Sequence, residues 1–196
     1  MARVAQDEDN KKKIIEAASE LVAEGGISRT SLRSICDKAG ISMGTLYYHY
    51  RTKDFILADI LRQSLSGPRW LADEIEHGGL TREEAFDKLM NALRGRIEKL
   101  AASKVYTHML DEALSGNEVL TEIVQEQNDT WIDALEEIIA FIKNMDTCLT
   151  TRSAAIMIES LAQGITTQYL LNQDYEKKEE TLDAVLKTAK HVIRAI

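Results

Sequence analysis

A short segment, MGTLYYHY at residues 43–50, concentrates side chains that hydrogen bond and stack. It holds a threonine, three tyrosines and a histidine on a stretch of only eight residues. Few structural roles require so many hydrogen-bonding aromatic side chains together, and a surface for nucleic acid is one that does. The chemistry indicated is binding to DNA, in which hydroxyl and imidazole groups hold phosphates while a few side chains reach base edges.

Two short helices and a tight turn are predicted to position this segment. The first helix has an apolar stripe at spacing i, i+3, i+4 and i+7, formed by Leu32, Ile35, Cys36 and Ala39. Gly40 follows the stripe, where a helix ends most easily because glycine enters the left-handed region without a Cβ clash. Ser42 can then cap the second helix through its hydroxyl group. The pattern from Thr30 to Lys53 therefore predicts a helix-turn-helix.

The run LRSICDKAGISMGTLYYHYRTKDFIL, with its distinctive L-Y-Y-H-Y-x-x-K tail, resembles the DNA-binding domain of TetR-type transcriptional repressors. The motif-level resemblance covers about the first third of the chain. It implies an all-α fold of about nine helices. It also implies a three-helix DNA-binding domain at residues 1–52, with its recognition helix at about 43–50. Residues 53–196 would form a helical effector-binding and dimerisation domain.

Alignment with the family implies which side chains face DNA. The candidates for base contacts are Arg33, Met43, Thr45 and Tyr47. The candidates for phosphate contacts are Tyr48, His49 and Lys53, with Thr30, Ser31 and Ser42 as further hydroxyl or backbone contacts, and Gly44 lets the backbone approach the duplex. An arginine can donate two hydrogen bonds to guanine, which is worth about 1–3 kcal/mol of discrimination.

Alternatives stay open for three of these residues. A core stripe at helical spacing fits Met43, Leu46, Tyr47 and Tyr50 equally well. We assign Leu46 and Tyr50 to the core and leave Met43 and Tyr47 between core and DNA, where a thioether would meet a thymine methyl group. For His49 the alternative is a surface histidine with no DNA contact. No second histidine or cysteine lies at ligand spacing, so we expect no metal.

The charge of the chain is unevenly distributed. The net charge is −8, yet residues 28–53 carry five basic side chains against one acidic side chain. Residues 67–196 carry 14 basic and 23 acidic side chains. Phosphate contacts depend on the field within about one Debye length, roughly 8–10 Å, so the acidic remainder does not exclude DNA as a partner. We expect salt-sensitive binding.

Other classes of function lack support in the sequence. No apolar run approaches the roughly 20 residues of a membrane span, and the N-terminus lacks the apolar region of a secretory signal. We therefore expect a cytoplasmic protein in which Cys36 is a buried free thiol. No nucleophile–base pair, phosphate-binding loop or dinucleotide fingerprint is present, and we predict neither an enzyme nor a cofactor. Residues 1–10 are expected to form a loose arm.

The remainder predicts long helices. The dipeptide Gly67-Pro68 predicts a break between a linking helix and a short helix from Arg69 to Glu76, and Thr81–Glu84 reads as a capping box. Candidates for an effector pocket are aromatic, methionine and interrupting polar side chains, for each of which an ordinary core position is the alternative: Trp70, Phe86, Met90, Tyr106, His108, Met109, Gln127, Trp131, Met157, Glu159, Gln163 and Thr167. In the family the last two helices form a dimer interface, for which the candidates are Ala162, Gly164, Leu182, Leu186, Ala189 and Ile193.

The predicted function is a ligand-responsive transcriptional regulator, most simply a repressor. A homodimer would bind a palindromic operator and would be released by a small hydrophobic effector that favours a dimer state of altered spacing. One alternative is a DNA-binding protein of the same fold without a small-molecule effector, controlled by a protein partner. The other is an enzyme on a helical scaffold, against which the motif at residues 46–53 argues.

Overall fold

The computed structural model describes residues 2–64, 66–172 and 176–196, and within these ranges it is all-α. The all-helical prediction is confirmed, with ten helices in the described ranges rather than about nine. They are α1 (Ala2–Gly25), α2 (Leu32–Ala39), α3 (Met43–His49), α4 (Lys53–Ser64), α5 (Ser66–Glu76), α6 (Arg82–Glu98), α7 (Leu100–Leu114), α8 (Glu118–Lys143), α9 (Leu149–Leu171) and α10 (Lys178–Ala195).

The N-terminal segment differs from its prediction. Residues 2–10, expected as a loose arm, form the first turns of α1. Pairs of opposite charge one turn apart support these turns, such as Lys13 with Asp9 at 2.5 Å. Lys11 also reaches α4, where its Nζ lies 2.8 Å from Oδ2 of Asp59. The polar composition predicted a loose arm, but here it belongs to a solvent-exposed helix that the ion pair between Lys11 and Asp59 holds against α4.

The described residues form two compact units. The first consists of residues 2–64 together with Lys104–Gln125. Its core takes apolar side chains from α1 to α4, from the second half of α7 and from the start of α8, including Ile14, Val22, Ile35, Leu46, Ile56, Leu57, Leu61, Met109 and Leu120. The division into a DNA-binding domain at 1–52 and an effector domain at 53–196 describes function rather than packing, and it stays a prediction.

The second unit consists of residues 66–103 and Glu126–Ile196. Its core lies between α5, α6, the later part of α8, α9 and α10, and includes Leu71, Leu89, Ile97, Leu135, Ile138, Ala155, Ile158, Leu182 and Ile193. The start of α9 contains AAIMI at residues 154–158, which is apolar at every position. It buries Ala154, Ala155 and Ile158 but leaves Ile156 and Met157 exposed. An apolar face of α9 is therefore left without cover in the single chain.

Helix ends follow local chemistry. Thr81 caps α6 and forms the predicted capping box with Glu84. Gly67 and Pro68, where the sequence predicts a break, both lie within helix α5 (Ser66–Glu76). Within the described ranges, no helix combines the length and apolar content needed to cross a bilayer.

Candidate nucleic-acid interface

The turn between α2 and α3 is fixed by two serine caps and one glycine. Ser31 caps α2 by accepting a hydrogen bond from the Ser34 N–H at 3.0 Å. Gly40 ends α2 in the left-handed conformation, with φ of 66° and ψ of 34°. Ser42 caps α3 by accepting a hydrogen bond from the Thr45 N–H at 3.0 Å. The structure thus has the helix-turn-helix, with Gly40 at its turn and Ser42 as a cap, where the sequence predicts it.

One side of α3 is anchored in the core of the first unit. Leu46 and Tyr50 are buried, as expected from the stripe. The Tyr50 hydroxyl donates a hydrogen bond of 2.9 Å to Oδ2 of Asp59 on α4. Burial and this carboxylate raise the pKa of Tyr50. Although burial opposes the effect, hydrogen bonds from Lys11, Tyr50 and Arg62 hold the pKa of Asp59 below its usual range.

The opposite side of α3 faces solvent. Tyr47 is 53% exposed and Tyr48 is 70% exposed, which is unusual for large aromatic side chains. Gly44 at the start of the helix is also exposed. A Cβ atom at Gly44 would meet only the Ser42 hydroxyl, at 3.7 Å, so the approach to this helix is open. A helix buried on one side and exposing paired tyrosines on the other has the form of a recognition helix.

The two ambiguous residues lie differently. Met43 is half-buried against the core, with its Sδ 3.3 Å from the Sγ of Cys36. Met43 therefore packs against the core, whereas Tyr47 faces solvent. A base contact by either residue stays a prediction.

Two phosphate candidates have side chains hydrogen-bonded within the protein, and the side chain of a third is buried. The buried Thr30 hydroxyl donates to the Gly26 carbonyl at 2.9 Å. The Lys53 ammonium donates to the carbonyls of Ile27 and Thr30 at 2.7 and 3.0 Å, which fixes the loop before α2. His49 is not the surface histidine of the alternative hypothesis, because its side chain is only 8% exposed. The remaining candidates, Ser31, Arg33, Ser42, Thr45 and Tyr48, lie partly or fully exposed around the two helices.

The residues proposed for an effector pocket do not form one set. Tyr106, His108 and Met109 belong to the first unit, and the remainder belong to the second. Met109 is fully buried core, whereas Trp70 and Met157 are more than half exposed. Phe86 is half-buried beneath the cationic groups of Lys190 and Arg194, at 5.8 and 5.9 Å. Met90 and Gln127 are buried, and Thr167 bonds to the Gln163 carbonyl of its own helix.

Four candidate or neighbouring side chains meet inside the second unit. Arg96 of α6 donates to both carboxylate oxygens of Glu159 on α9 and to the amide oxygen of Gln163. Its guanidinium carbon also lies 4.8 Å from the ring centre of Trp131. Burial raises the pKa of Glu159, while Arg96 and the Trp131 indole act in the opposite direction. The indole N–H faces this carboxylate but makes no aligned hydrogen bond with the described residues.

Arg96 is not among the residues predicted from the sequence, because a charged side chain is expected to face solvent. A signal was present, since Arg96 lies seven residues after Leu89 and three after Leu93, on the apolar stripe of α6. A charge on such a stripe needs a buried partner. Glu159 and Gln163, noticed as polar residues on an apolar helix, are that partner.

The residues proposed for a dimer interface need correction. Ala162, Leu182, Leu186, Ala189 and Ile193 are buried in the core of their own unit. They have almost no surface to offer a second chain, because the same apolar face of α10 packs on α6 and α9. Gly164 alone of the six is exposed. A dimer interface would have to use the outer face of these helices.

A helix-turn-helix with one exposed aromatic helix defines a class of protein, the DNA-binding regulators. Within that class, residues 14–60 match the model of the bacterial regulatory proteins of the tetR family. Over 145 residues the chain is 26% identical to the HTH-type transcriptional repressor KstR2 of Mycolicibacterium smegmatis, covering 69% of this chain and 68% of the relative.

Solved structures show the same fold. A Rhodococcus sp. protein assigned to the TetR family superposes with a TM-score of 0.77 at 20% identity, covering 95% of this chain and 99% of the other. The SmeT–triclosan complex gives a TM-score of 0.70 at 20% identity, covering 91% and 90%. Residues 14–60 therefore resemble the DNA-binding segment of the tetR family, and the chain as a whole shares the fold of these solved structures.

Proposed function

We propose that this regulator is a repressor that binds a palindromic operator as a homodimer and is released by a small hydrophobic effector. The observation that carries the DNA-binding part is α3, with Leu46 buried beneath it and Tyr47 and Tyr48 exposed above it. Each recognition helix would enter a major groove, and the two of a dimer would lie about one helical turn, roughly 34 Å, apart.

The homodimer is supported by the uncovered face of α9. Ile156, Met157 and Leu171 are 45%, 53% and 72% exposed, and Gly164 lies midway between the last two at a spacing of seven residues. An exposed apolar stripe on a long helix is typical of a surface that packs on another protein. Glycine in its centre permits close approach of a second helix, since a Cβ there would meet nothing within 4 Å. A second copy of the chain, packed about a two-fold axis, fits this face.

We propose that the effector binds at the Arg96–Glu159 pair. The pair is neutral as a whole and lies among apolar side chains, which favours an uncharged, largely apolar ligand over an ion. The indole N–H of Trp131 faces the Glu159 carboxylate without an aligned hydrogen bond, and a carbonyl or hydroxyl oxygen of the ligand could accept from it in better geometry. SmeT, which shares the fold, has been solved with triclosan, a small apolar molecule with a hydroxyl group.

A mobility-shift assay on the region upstream of the protein's own gene tests the operator part. We expect retardation that specific competitor DNA abolishes and arbitrary DNA does not. We also expect Tyr48→Ala to weaken binding, because an exposed tyrosine that holds a phosphate fixes the register of the helix. No sequence-specific retardation at any low to moderate salt concentration would reject the operator.

A thermal-shift screen with small phenols, triclosan among them, tests the effector part. A stabilising compound should lose its effect in Trp131→Phe, which keeps the ring and removes the N–H donor. If no small molecule stabilises the chain or releases it from DNA, control by a protein partner replaces the effector hypothesis.

A further inference from the structure

The imidazole of His49 has an unusual environment at the end of the recognition helix. It is the last residue of α3, and its Nε2 atom is buried without a hydrogen-bond partner among the described residues. Its ring packs edge-on against the exposed Tyr48, with ring centres 5.1 Å apart. Nε2 faces Oδ1 of Asp7 at 3.6 Å, which is too long for a hydrogen bond.

Asp7 belongs to the first turns of α1, which precede the residues matched to the family model at 14–60. A second contact holds these turns in place one turn further along. Lys11 pairs with Asp59 at 2.8 Å, and its ammonium lies 5.9 Å from the ring centre of Tyr50. The start of α1 therefore lies against the C-terminal end of α3 and against α4 through two separate side chains.

We propose that Asp7 occupies the position of a DNA phosphate beside His49 and so lowers the affinity of the free protein for DNA. A carboxylate oxygen and a phosphate oxygen are both acceptors for an imidazole N–H and both attract an imidazolium. Because the present distance leaves Nε2 without a hydrogen bond, a phosphate that approached more closely would make the better contact. Binding to DNA then requires Asp7, in the first turns of α1, to move away from His49.

This proposal rests on the proposed DNA-facing role of α3. It predicts an effect of Asp7 that another acidic residue in the same turn would not have, which distinguishes it from a general effect of negative charge. Glu8, the next residue along α1, is exposed and carries the same charge. It provides a matched control, since Glu8→Gln and Asp7→Asn each remove one negative charge from the same turn. Only Asp7 faces His49.

The experiment measures binding by fluorescence anisotropy to a labelled duplex of arbitrary sequence, across a series of salt concentrations. Phosphate contacts do not depend on sequence, so the result stands whether or not an operator is found. Asp7→Asn is expected to raise affinity by about three- to tenfold, and Glu8→Gln by no more than about twofold. The gain from Asp7→Asn should shrink as salt rises, because it comes from a closer contact with a charged phosphate.

The double variant Asp7→Asn/His49→Gln decides the mechanism. It should bind no more tightly than His49→Gln alone, because the gain passes through the imidazole. Equal gains from Asp7→Asn and Glu8→Gln would overturn the proposal, as would a gain from Asp7→Asn that persists in the His49→Gln background. Failure of every variant to bind duplex DNA would reject both this contact and the proposed function. Circular-dichroism melting confirms that each variant is folded.

Discussion

Replacing Arg96 with methionine is expected to destabilise the second unit strongly. The substitution keeps most of the volume of the side chain and removes its charge. It leaves the Glu159 carboxylate, only 13% exposed, without the guanidinium that donates to both of its oxygens. It also frees the Gln163 amide oxygen and removes the cation from the Trp131 ring.

The expected cost is about 3–5 kcal/mol, which is typical when one partner of a buried pair is removed. At about 2–4 °C per kcal/mol for a chain of this size, the melting temperature should fall by roughly 6–20 °C. Glu159 can reduce the cost by taking up a proton, since burial without Arg96 favours the neutral acid. A carboxyl group whose pKa is raised in the folded state gives stability at low pH that is lost as pH rises. The loss caused by Arg96→Met should therefore be larger at pH 7 than at pH 5.

Urea unfolding followed by circular dichroism at the two pH values measures both effects. The matched control is Arg96→Met/Glu159→Leu, in which no buried charge remains and most of the stability should return. A loss below about 1 kcal/mol for Arg96→Met, equal at both pH values, would refute this account of the pair.

Three further predictions follow from other parts of the chain. Gly40→Ala should destabilise the first unit by about 1–2 kcal/mol in urea unfolding, because its φ of 66° suits glycine only, and no steric contact adds to that cost; an unchanged midpoint would contradict this. The pKa of Asp59 is lower in the folded than in the unfolded state, so its carboxylate stabilises the fold above the unfolded pKa, and this stabilisation should be lost as pH falls through the folded pKa. Asp59→Asn should therefore flatten the acid limb of a plot of unfolding free energy against pH. An unaltered plot would count against the hydrogen bonds of Asp59 with Lys11, Tyr50 and Arg62. Met157→Glu should shift the chain from dimer to monomer in light scattering, because the side chain is more than half exposed and a charge there would be buried only in a dimer; a persistent dimer would move the interface away from α9.

The helix-turn-helix could be predicted because its signals are local. The serine caps, Gly40 and the apolar stripe act within one or two turns, and the structure has them where the pattern indicates. The burial of Leu46 follows from the same spacing. Sequence distance explains the failures. The start of α1 is held by Lys11 and Asp59, which are 48 residues apart in the chain, and no local pattern shows that contact.

The second unit shows a different limit. Periodicity gives the apolar face of α10 but not its neighbour, so Leu182 and Ile193 fitted an interface between chains as well as a core within one chain. The structure packs them inside. Glu159 and Gln163 could be noticed as polar residues on an apolar helix, yet their partner Arg96 lies more than 60 residues away. Which polar side chains meet is decided by tertiary packing.

The most direct test of the central claim is selection of binding sites from a library of random duplex DNA by the full chain. Recovered sequences should converge on one palindrome with half-sites about one helical turn apart, and Tyr47→Ala/Tyr48→Ala should recover none. Recovery of unrelated sequences, or the same palindrome from the double variant, would contradict the assignment of α3 as the helix that recognises DNA.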